Sequence, residues 1–289
     1  MAELNLQEIH DFMISVAKKA GEMITSARPT TEAAGNKKNS VDLVTETDRA
    51  VEVFVSTTLR EKYPDFQFIG EETYTPSTPL TPHPTFIVDP IDGTTNFVHT
   101  YPYVSISLGL LHNLVPTIGV VYNPFTDTLY TAIRGRGAFL NQSARLPLRT
   151  PEPMRGLSEC LVAVEWGSDR SGNDFAVKSR TFARLAATKE EGGAMVHGLR
   201  SFGSAALNLC GVASGALDVY WEAGCWAWDV CAGWVILEEA GGIMVDANPG
   251  NWEPKVDGRR YLAVRGGVGQ REIVEEFWAC VEGAFEVGN

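Results

Sequence analysis

The chain has 289 residues, of which 44% are hydrophobic and 21% charged, a composition that excludes disordered, fibrous and coiled-coil proteins and leaves room for one large domain or two of ordinary size. It carries 24 lysines and arginines against 36 aspartates and glutamates, a formal net charge of −12, which disfavours binding to nucleic acids. An anionic substrate would need a positive group at its own binding site.

The N-terminal region is predicted to be helical. Apolar residues recur at helical spacing from Leu6 to Ile24, which predicts an amphipathic helix. The polar stretch 30–40 predicts a loop. Asp48 is then placed to cap a second helix, and Pro64 stands just beyond the end of that helix.

A region rich in strands follows. The prolines between residues 76 and 84 predict a loop, and a short apolar strand over 86–88 ends at Asp89. Further apolar runs separated by turn residues predict successive strands, which we expect to be antiparallel. These strands are 105–111, 118–122, 129–132 and 138–140.

Strands and helices alternate from about residue 150, which predicts an α/β layer. We place a soft boundary there: residues 1–150 form an N-terminal half of helices and largely antiparallel sheet, and residues 151–289 a C-terminal α/β half, within one compact unit. The predicted strands are 161–164, 243–245 and 262–264, and the predicted helices are 175–187, 204–214, 229–240 (ending at Gly241-Gly242) and 271–281.

Cysteine content and hydropathy bear on location. Five cysteines are an odd number for a disulfide framework, and there is no Cys-x-x-Cys spacing. We therefore expect reduced, mostly buried thiols in a cytoplasmic protein. The N-terminus lacks a basic stretch followed by an apolar one, so we expect no secretory signal. His112, Asn113 and Pro116 interrupt the most apolar region, 104–122, so we expect two strands there and no membrane span.

An acidic turn carries the first chemical signal. Asp89 and Asp92 follow an apolar strand, and Pro90 with Gly93 makes a rigid turn that holds both carboxylates on one side. Two such ionised groups repel each other unless a cation lies between them, and oxygen ligands favour Mg²⁺, Mn²⁺ or Ca²⁺. Thr94 begins a predicted short helix, whose free amides form an anion site. The segment therefore predicts metal-assisted phosphoryl chemistry.

Two other acidic positions are ambiguous when taken alone. Glu71 and Glu72 fit a solvated acidic turn, and Asp229 fits an ordinary helix N-cap. The acidic turn at Asp89 needs further carboxylates to complete a metal site, and that need makes Glu71 and Asp229 candidate ligands.

Together these segments resemble the inositol monophosphatase family of Mg²⁺-dependent, lithium-sensitive phosphatases. Residues 89–97 (DPIDGTTNF) match the first signature of the family, and residues 228–233 (WDVCAG) with 238–242 match the second. The segments 70–72, 41–45 and 197–201 also fit. The resemblance covers roughly residues 9–273, and two long signatures in the family's order are highly specific.

The resemblance implies two to three Mg²⁺ ions. One would be held by Glu71, Asp89 and the backbone carbonyl of Ile91. A second would be held by Asp89, Asp92 and Asp229, and a weaker third would bind near Glu71 through water. Neighbouring divalent ions clamp a phosphate and activate a bound water, which supplies the positive charge that an acidic protein lacks.

Catalytic and phosphate-binding roles also follow from the resemblance. Thr94, with Glu71 and Asp48, would orient and deprotonate the attacking water. Asp92, Gly93 and Thr94 would meet the phosphate, largely through backbone amides and the Thr94 hydroxyl.

The resemblance places Glu222 where the family grips substrate hydroxyls, although alone it fits an acidic residue in a turn. Trp226 adds a bulky aromatic residue near this position. Lys37, or its neighbour Lys38, would belong to a mobile loop that covers the site. The other implied substrate contacts are Gly203, Ser204, Ala205 and Ser168, with Asp169 as an alternative to Ser168.

The implied fold is the family's layered αβαβα sandwich, and the implied assembly is a homodimer. The implied activity is hydrolysis of a small phosphomonoester of a polyol, with myo-inositol monophosphate favoured by the 94–97 continuation and the chain length. A sugar-phosphate phosphatase such as a fructose-1,6-bisphosphatase, a histidinol-phosphate phosphatase and a 3′(2′),5′-bisphosphate nucleotidase remain alternatives with the same metals. An inactive regulatory relative is a further alternative from a different class.

Overall fold

The computed structural model describes residues 4–27, 34–36, 43–76 and 79–287. These residues form seven α-helices and two short 3₁₀ helices, Leu157–Glu159 and Lys189–Glu191. The α-helices are α1 (Leu6–Ser26), α2 (Glu46–Lys62), α3 (Thr94–Val98), α4 (Gly172–Ala186), α5 (Ala205–Ser214), α6 (Ala227–Glu239) and α7 (Gln270–Cys280).

The same residues contain fourteen strands, of which the first two form a small antiparallel pair. The strands are β1 (Gly35–Asn36), β2 (Leu43–Val44), β3 (Gln67–Gly70), β4 (Thr85–Asp92), β5 (Ser105–His112), β6 (Val115–Asn123), β7 (Thr128–Ile133), β8 (Ala138–Leu140), β9 (Ala144–Arg145), β10 (Leu161–Val164), β11 (Gly198–Arg200), β12 (Val219–Ala223), β13 (Ile243–Val245) and β14 (Arg260–Val264).

Two large sheets are built from these strands. The first has the order β3-β4-β5-β6-β7-β8-β9, and its pairings are antiparallel except for β3 with β4. The second has the order β11-β10-β12-β14-β13; β10 is parallel to β11 and β12, and β14 is antiparallel to its neighbours. The predicted antiparallel sheet and the later alternation of strands and helices are confirmed. The domain boundary near residue 150 stays a prediction.

Apolar side chains hold five layers together. Val55 on α2 and Val120 on β6 belong to a core between the first two helices and the seven-stranded sheet. Ile236 on α6 belongs to a core between the two sheets, which α5 shares. Phe277 on α7 belongs to a core on the outer face of the five-stranded sheet, which α4 shares. The predicted αβαβα sandwich is therefore confirmed.

The apolar region 104–122 forms β5 and β6 around a turn at Asn113 and Leu114, as predicted. In the described ranges, no helix combines the length and the apolar character needed to span a membrane. All five cysteines are buried and free, also as predicted.

Helix α2 begins earlier than predicted, so the assignment of Asp48 as its N-cap is wrong. Thr45 is the N-cap, and its hydroxyl accepts the backbone N–H groups of Thr47 and Asp48. Asp48 stands three residues later, and its Oδ2 accepts the Thr45 backbone N–H at 2.9 Å. This reciprocal capping box leaves Asp48 Oδ1 for another partner.

Strand β4 is longer than predicted, and the expected end at Asp89 is wrong. The strand continues to Asp92, with an irregular register against β5 between the two aspartates. Asp89 pairs with Ser107 and Asp92 with Ser105, so three steps on β4 oppose two on β5. Such a bulge accommodates Pro90, which has no N–H for the ladder.

Two predicted loops fall partly outside the described residues. Lys37 and its neighbour Lys38 lie outside them, as do residues 41–42 of one matching segment. Gly35–Asn36, within the predicted loop 30–40, form β1. In the proline-rich stretch, residues 79–84 belong to no helix or strand, as predicted.

Candidate active site

Three aspartates from distant parts of the chain meet between the sheets. Asp89 and Asp92 lie on the bulged end of β4, and Asp229 lies in the first turn of α6. One carboxylate oxygen from each residue falls within a group whose members all lie within 4.8 Å of one another. The structure thus brings together the residues predicted as ligands of the second metal, although their role as ligands stays a prediction.

The position of Asp229 on its helix differs from the simple expectation. Helix α6 begins at Ala227 with Trp226 as its N-cap, so Asp229 is not the N-cap. Its Oδ2 accepts the backbone N–H of Trp226 at 2.5 Å. This bond fixes the carboxyl group while the residue contributes an oxygen to the acidic cluster.

The three aspartates of the acidic cluster would repel one another if all were ionised with no cation between them. Burial, reinforced by the charge of Glu71, holds the pKa of Asp89 and of Asp229 well above the usual range for an aspartate. Burial also raises the pKa of Asp92 to about 7, although hydrogen bonds from Ser204 and Ala206 act in the opposite direction. Buried like charges are stabilised by a cation or by protons, and carboxylate oxygens suit a hard divalent cation. The donor set therefore fits the predicted metal.

Glu71 lies beside this cluster. It follows β3, and its backbone N–H donates to the Val88 carbonyl at 3.1 Å. Its side chain is close enough to Asp89 to help raise the pKa of that aspartate. The next residue, Glu72, donates its backbone N–H to Oε2 of buried Glu52 at 2.7 Å, so helix α2 anchors the acidic turn.

Hydrogen bonds from the start of α5 hold the Asp92 carboxylate in place. Its Oδ2 accepts the Ser204 hydroxyl and the Ala206 N–H at 2.9 Å, and its Oδ1 accepts the Ala205 N–H at 3.2 Å. Ser204 and Ala205, predicted as substrate contacts, therefore direct these donors to Asp92. Both residues and Gly203 nevertheless line the cavity described below.

The Thr94 hydroxyl lies between two acceptors. It is 3.1 Å from Asp48 Oδ1 and 3.0 Å from the Ile91 carbonyl oxygen. A hydroxyl has one proton to donate, so its lone pairs remain available to a further donor. Burial raises the pKa of Asp48, which lies behind Thr94 and does not line the cavity.

Gly93 makes the turn between the strand and the short helix α3, as predicted. Its φ is +93°, a left-handed conformation that favours glycine. A Cβ added at this position would lie 2.9 Å from the Tyr103 carbonyl oxygen. The turn therefore depends on glycine both for its angle and for its space.

A cavity of about 850 Å³ opens in front of these groups. Glu71, Asp92, Thr94 and Asp229 line it, whereas Asp89 is buried and does not. The cavity is also lined by the predicted substrate contacts Glu222 and Ser168, together with Glu165, Trp166 and Lys178.

Glu222 lies near the end of a strand and not in a turn. It is the fourth residue of β12, is 7% exposed, and its Oε2 accepts the Tyr220 hydroxyl. Because β12 is parallel to β10, this carboxylate stands at the edge where ligands commonly bind in such sheets.

Trp226 lines the same cavity as Glu222, as predicted from the sequence. Its ring stacks on Trp228 with centroids 5.2 Å apart, and the Arg259 guanidinium lies 3.7 Å from its centroid. Both are close ring contacts, so Trp226 is fixed in the cavity wall.

Sequence reasoning did not identify Glu165, Lys178 or Glu52. Glu165 directly follows a predicted strand, the same signal that identified Asp89. Its Oε1 accepts the backbone N–H groups of Phe202 at 2.6 Å and Gly203 at 2.9 Å. It therefore orders the segment that precedes α5.

Comparison with known proteins agrees with this geometry. The sequence profile described as the inositol monophosphatase family matches residues 5–282. The chain is 48% identical to inositol monophosphatase 2 of Saccharomyces cerevisiae over 97% of each chain, and 38% identical to inositol monophosphatase 1 of Bos taurus over 86% of each. The solved inositol monophosphatase of Anabaena (Nostoc) sp. PCC 7120 is 31% identical, with a TM-score of 0.76 over 96% of this chain and 98% of its own. The chain belongs to the inositol monophosphatase family.

Proposed function

We propose that this protein is a Mg²⁺-dependent phosphomonoesterase whose substrate is myo-inositol monophosphate. The observation that carries the proposal is the convergence of Asp89, Asp92 and Asp229 beside a cavity that Glu222 also lines. The relatives' names support the inositol ester as the substrate.

The proposed metal sites use the buried acidic groups. Glu71, Asp89 and the Ile91 carbonyl would hold one ion, Asp89, Asp92 and Asp229 a second, and water near Glu71 a weaker third. When bound, such ions offset the carboxylate charge, attract the phosphate and lower the pKa of a bound water.

The chain's own residues then act on that water and on the phosphate. The Thr94 hydroxyl orients the water, because its own proton is directed to Asp48 Oδ1 or the Ile91 carbonyl. The attacking water would pass its proton to the Thr94 hydroxyl as Thr94 passes its own proton to Asp48 Oδ1, and Glu71 would assist in orienting the water. The backbone at Asp92, Gly93 and Thr94 meets the phosphate at the start of α3.

The part of the cavity wall around Glu222 binds the polyol. Glu222 accepts hydrogen bonds from substrate hydroxyls through the oxygen that Tyr220 leaves available. Ser168 and the segment 203–205 complete this part of the wall. A carboxylate accepts from hydroxyl groups strongly, which favours a polyol over an apolar alcohol.

We further propose that the protein is a cytoplasmic, lithium-sensitive homodimer. Buried free thiols accord with a reducing compartment. Light scattering on the purified protein tests the dimer, and a mass of about 31.5 kDa would contradict it.

Phosphate release tests the function. The purified protein is assayed with Mg²⁺ on myo-inositol 1-phosphate, fructose 1,6-bisphosphate, histidinol phosphate and adenosine 3′,5′-bisphosphate. We expect the highest kcat/KM on the inositol ester and no turnover after chelation. Asp89→Asn should be inactive but folded, and Asp65→Asn, at an exposed turn, should be fully active.

Three outcomes would count against the proposal. A higher kcat/KM on another ester would contradict the assignment of myo-inositol monophosphate and identify that ester as the preferred substrate. No phosphate release from any ester at saturating Mg²⁺ would point to an inactive regulatory protein. Full activity of Asp89→Asn would refute the metal assignment.

A further inference from the structure

Two parallel strands separate at the polyol side of the cavity. β10 and β12 pair up to Val164 and Trp221, and the Glu165 N–H makes one further bond to the Trp221 carbonyl at 3.4 Å. Beyond this point, β10 leads to Trp166 and the Ser168 loop, while β12 carries Glu222. The Ser168 loop has therefore left the hydrogen-bond ladder, whereas Glu222 stays paired on its other side with Tyr261 of β14.

Lys178, on helix α4, connects these two diverging chains. Its Nζ donates to the Trp166 carbonyl at 3.0 Å and to the Ala223 carbonyl at 2.8 Å. One carbonyl lies two residues before Ser168, and the other belongs to the residue after Glu222. A single ammonium group thus fixes the spacing between the two parts of the wall.

The burial of Lys178 sets it apart from an ordinary surface lysine. Only 2% of the residue is exposed, and lysines are almost never so buried unless the charge is compensated. The other buried residues of α4 are Val177, Thr181 and Leu185. Packing of this helix face alone would be satisfied by an apolar side chain.

The carboxylate of Glu222 lies near this ammonium. A Cβ added at Gly167 would lie 3.3 Å from Lys178 Nζ and 3.7 Å from Glu222 Oε1, so both charges flank the same glycine. Burial, with the charge of Glu222, raises the pKa of Glu165 to about 7. Arg170 and Arg259 also line the cavity, but Arg170 is exposed and Arg259 donates to the Gly224 carbonyl.

We infer that Lys178 is a positioning residue that sets recognition of the hydroxyl-bearing leaving group. It holds the Ser168 loop against β12 and compensates the charge of Glu222, whose Oε2 is held by Tyr220. The inference rests on the proposed function, since it assigns Lys178 to the polyol end of that site.

The inference distinguishes the part of the site that would bind the metal ions from the part that binds the polyol. The predicted metal ligands directly follow β3 or lie on β4 and α6, whereas Lys178 lies on α4 in the outermost layer. Removal of the ammonium should therefore weaken binding of a polyol ester and leave an ester without hydroxyls unaffected.

The test compares Lys178→Met with wild type on myo-inositol 1-phosphate and on 4-nitrophenyl phosphate. We expect KM for the inositol ester to rise about tenfold, the effect of losing one charge-assisted contact. With 4-nitrophenyl phosphate, kcat/KM and the Mg²⁺ concentration for half-activation should stay within about twofold. Lys189→Met, at an exposed lysine beyond α4, is the matched control and should resemble wild type.

The ratio between the two substrates decides the result. Equal losses on both esters would show a structural role and overturn the inference, as would unchanged kinetics on both. If Lys178→Met is insoluble, Lys178→Gln, which keeps donors but removes the charge, is measured in the same way. Failure of the proposed function would be seen in the wild-type protein itself, as absent Mg²⁺-dependent turnover of the inositol ester.

Discussion

Removal of divalent ions should make the stability of this protein fall as pH rises. Burial raises the pKa of Asp92 from 3.8 to about 7, so the folded chain retains a proton that the unfolded chain releases at lower pH. A folded-state pKa above the unfolded value gives stability that is complete below the unfolded pKa and is lost as pH rises through the folded pKa. The window is therefore about pH 4 to 7.

The size of the effect follows from that shift. A rise from 3.8 to about 7 corresponds to about 4 kcal/mol of unfolding free energy for a fully buried group. In a chain of this length, that corresponds to roughly 8 °C in Tm. The pKa values of Asp89 and Asp229 are shifted in the same direction, so they add to the loss.

Calorimetry on chelator-treated protein measures the effect. Metal-free Tm should be lower at about pH 8 than at about pH 5.5, and Mg²⁺ should raise Tm more at the higher pH.

Asp89→Asn removes one charge and keeps the Oδ1 acceptor of the Ile91 N–H, a bond of 3.0 Å. At about pH 8 the metal-free variant should melt above metal-free wild type, whereas Asp65→Asn should not. A metal-free Tm that is flat or rising with pH would refute the reasoning.

Three further substitutions test individual contacts. Thr94→Val should lower kcat about 100-fold with little change in KM, because the water-orienting hydroxyl is lost; a phosphate-release assay that shows normal kcat would contradict its role. Gly93→Ala should cost about 1–3 kcal/mol through strain at positive φ, measured as a lower urea midpoint, and an unchanged midpoint would show that the turn relaxes. Ser204→Ala removes a donor to Asp92 and should raise the Mg²⁺ concentration for half-activation about tenfold; an unchanged concentration would mean that Asp92 does not need this support.

The long elements could be predicted because their patterns are regular. The helical spacing from Leu6 to Ile24 gave α1, and apolar runs with intervening turns gave β5 to β8. β3 was missed because it is four residues long, with two of them buried. β12 was missed because Tyr220, Trp221 and Glu222 do not alternate, as all of β12 is buried.

Some residues of the candidate site could likewise be predicted from the sequence, and others could not. Asp89, Asp92 and Gly93 lie in one short segment, so sequence alone shows their proximity. Lys178 acts through two backbone carbonyls, 12 and 45 residues away along the chain, which no local pattern reveals. A usable signal did exist, because a lysine stands where the apolar face of α4 continues.

The stacked indoles of Trp226 and Trp228 have an optical consequence. Both precede Asp229 at the start of α6, and the backbone N–H of Trp226 donates to that carboxylate. Two aromatic chromophores this close couple their electronic transitions, so the near-ultraviolet circular dichroism of the protein contains a band from the wall of the candidate active-site cleft. Titration of an ion into the cleft is then visible without any label or dye.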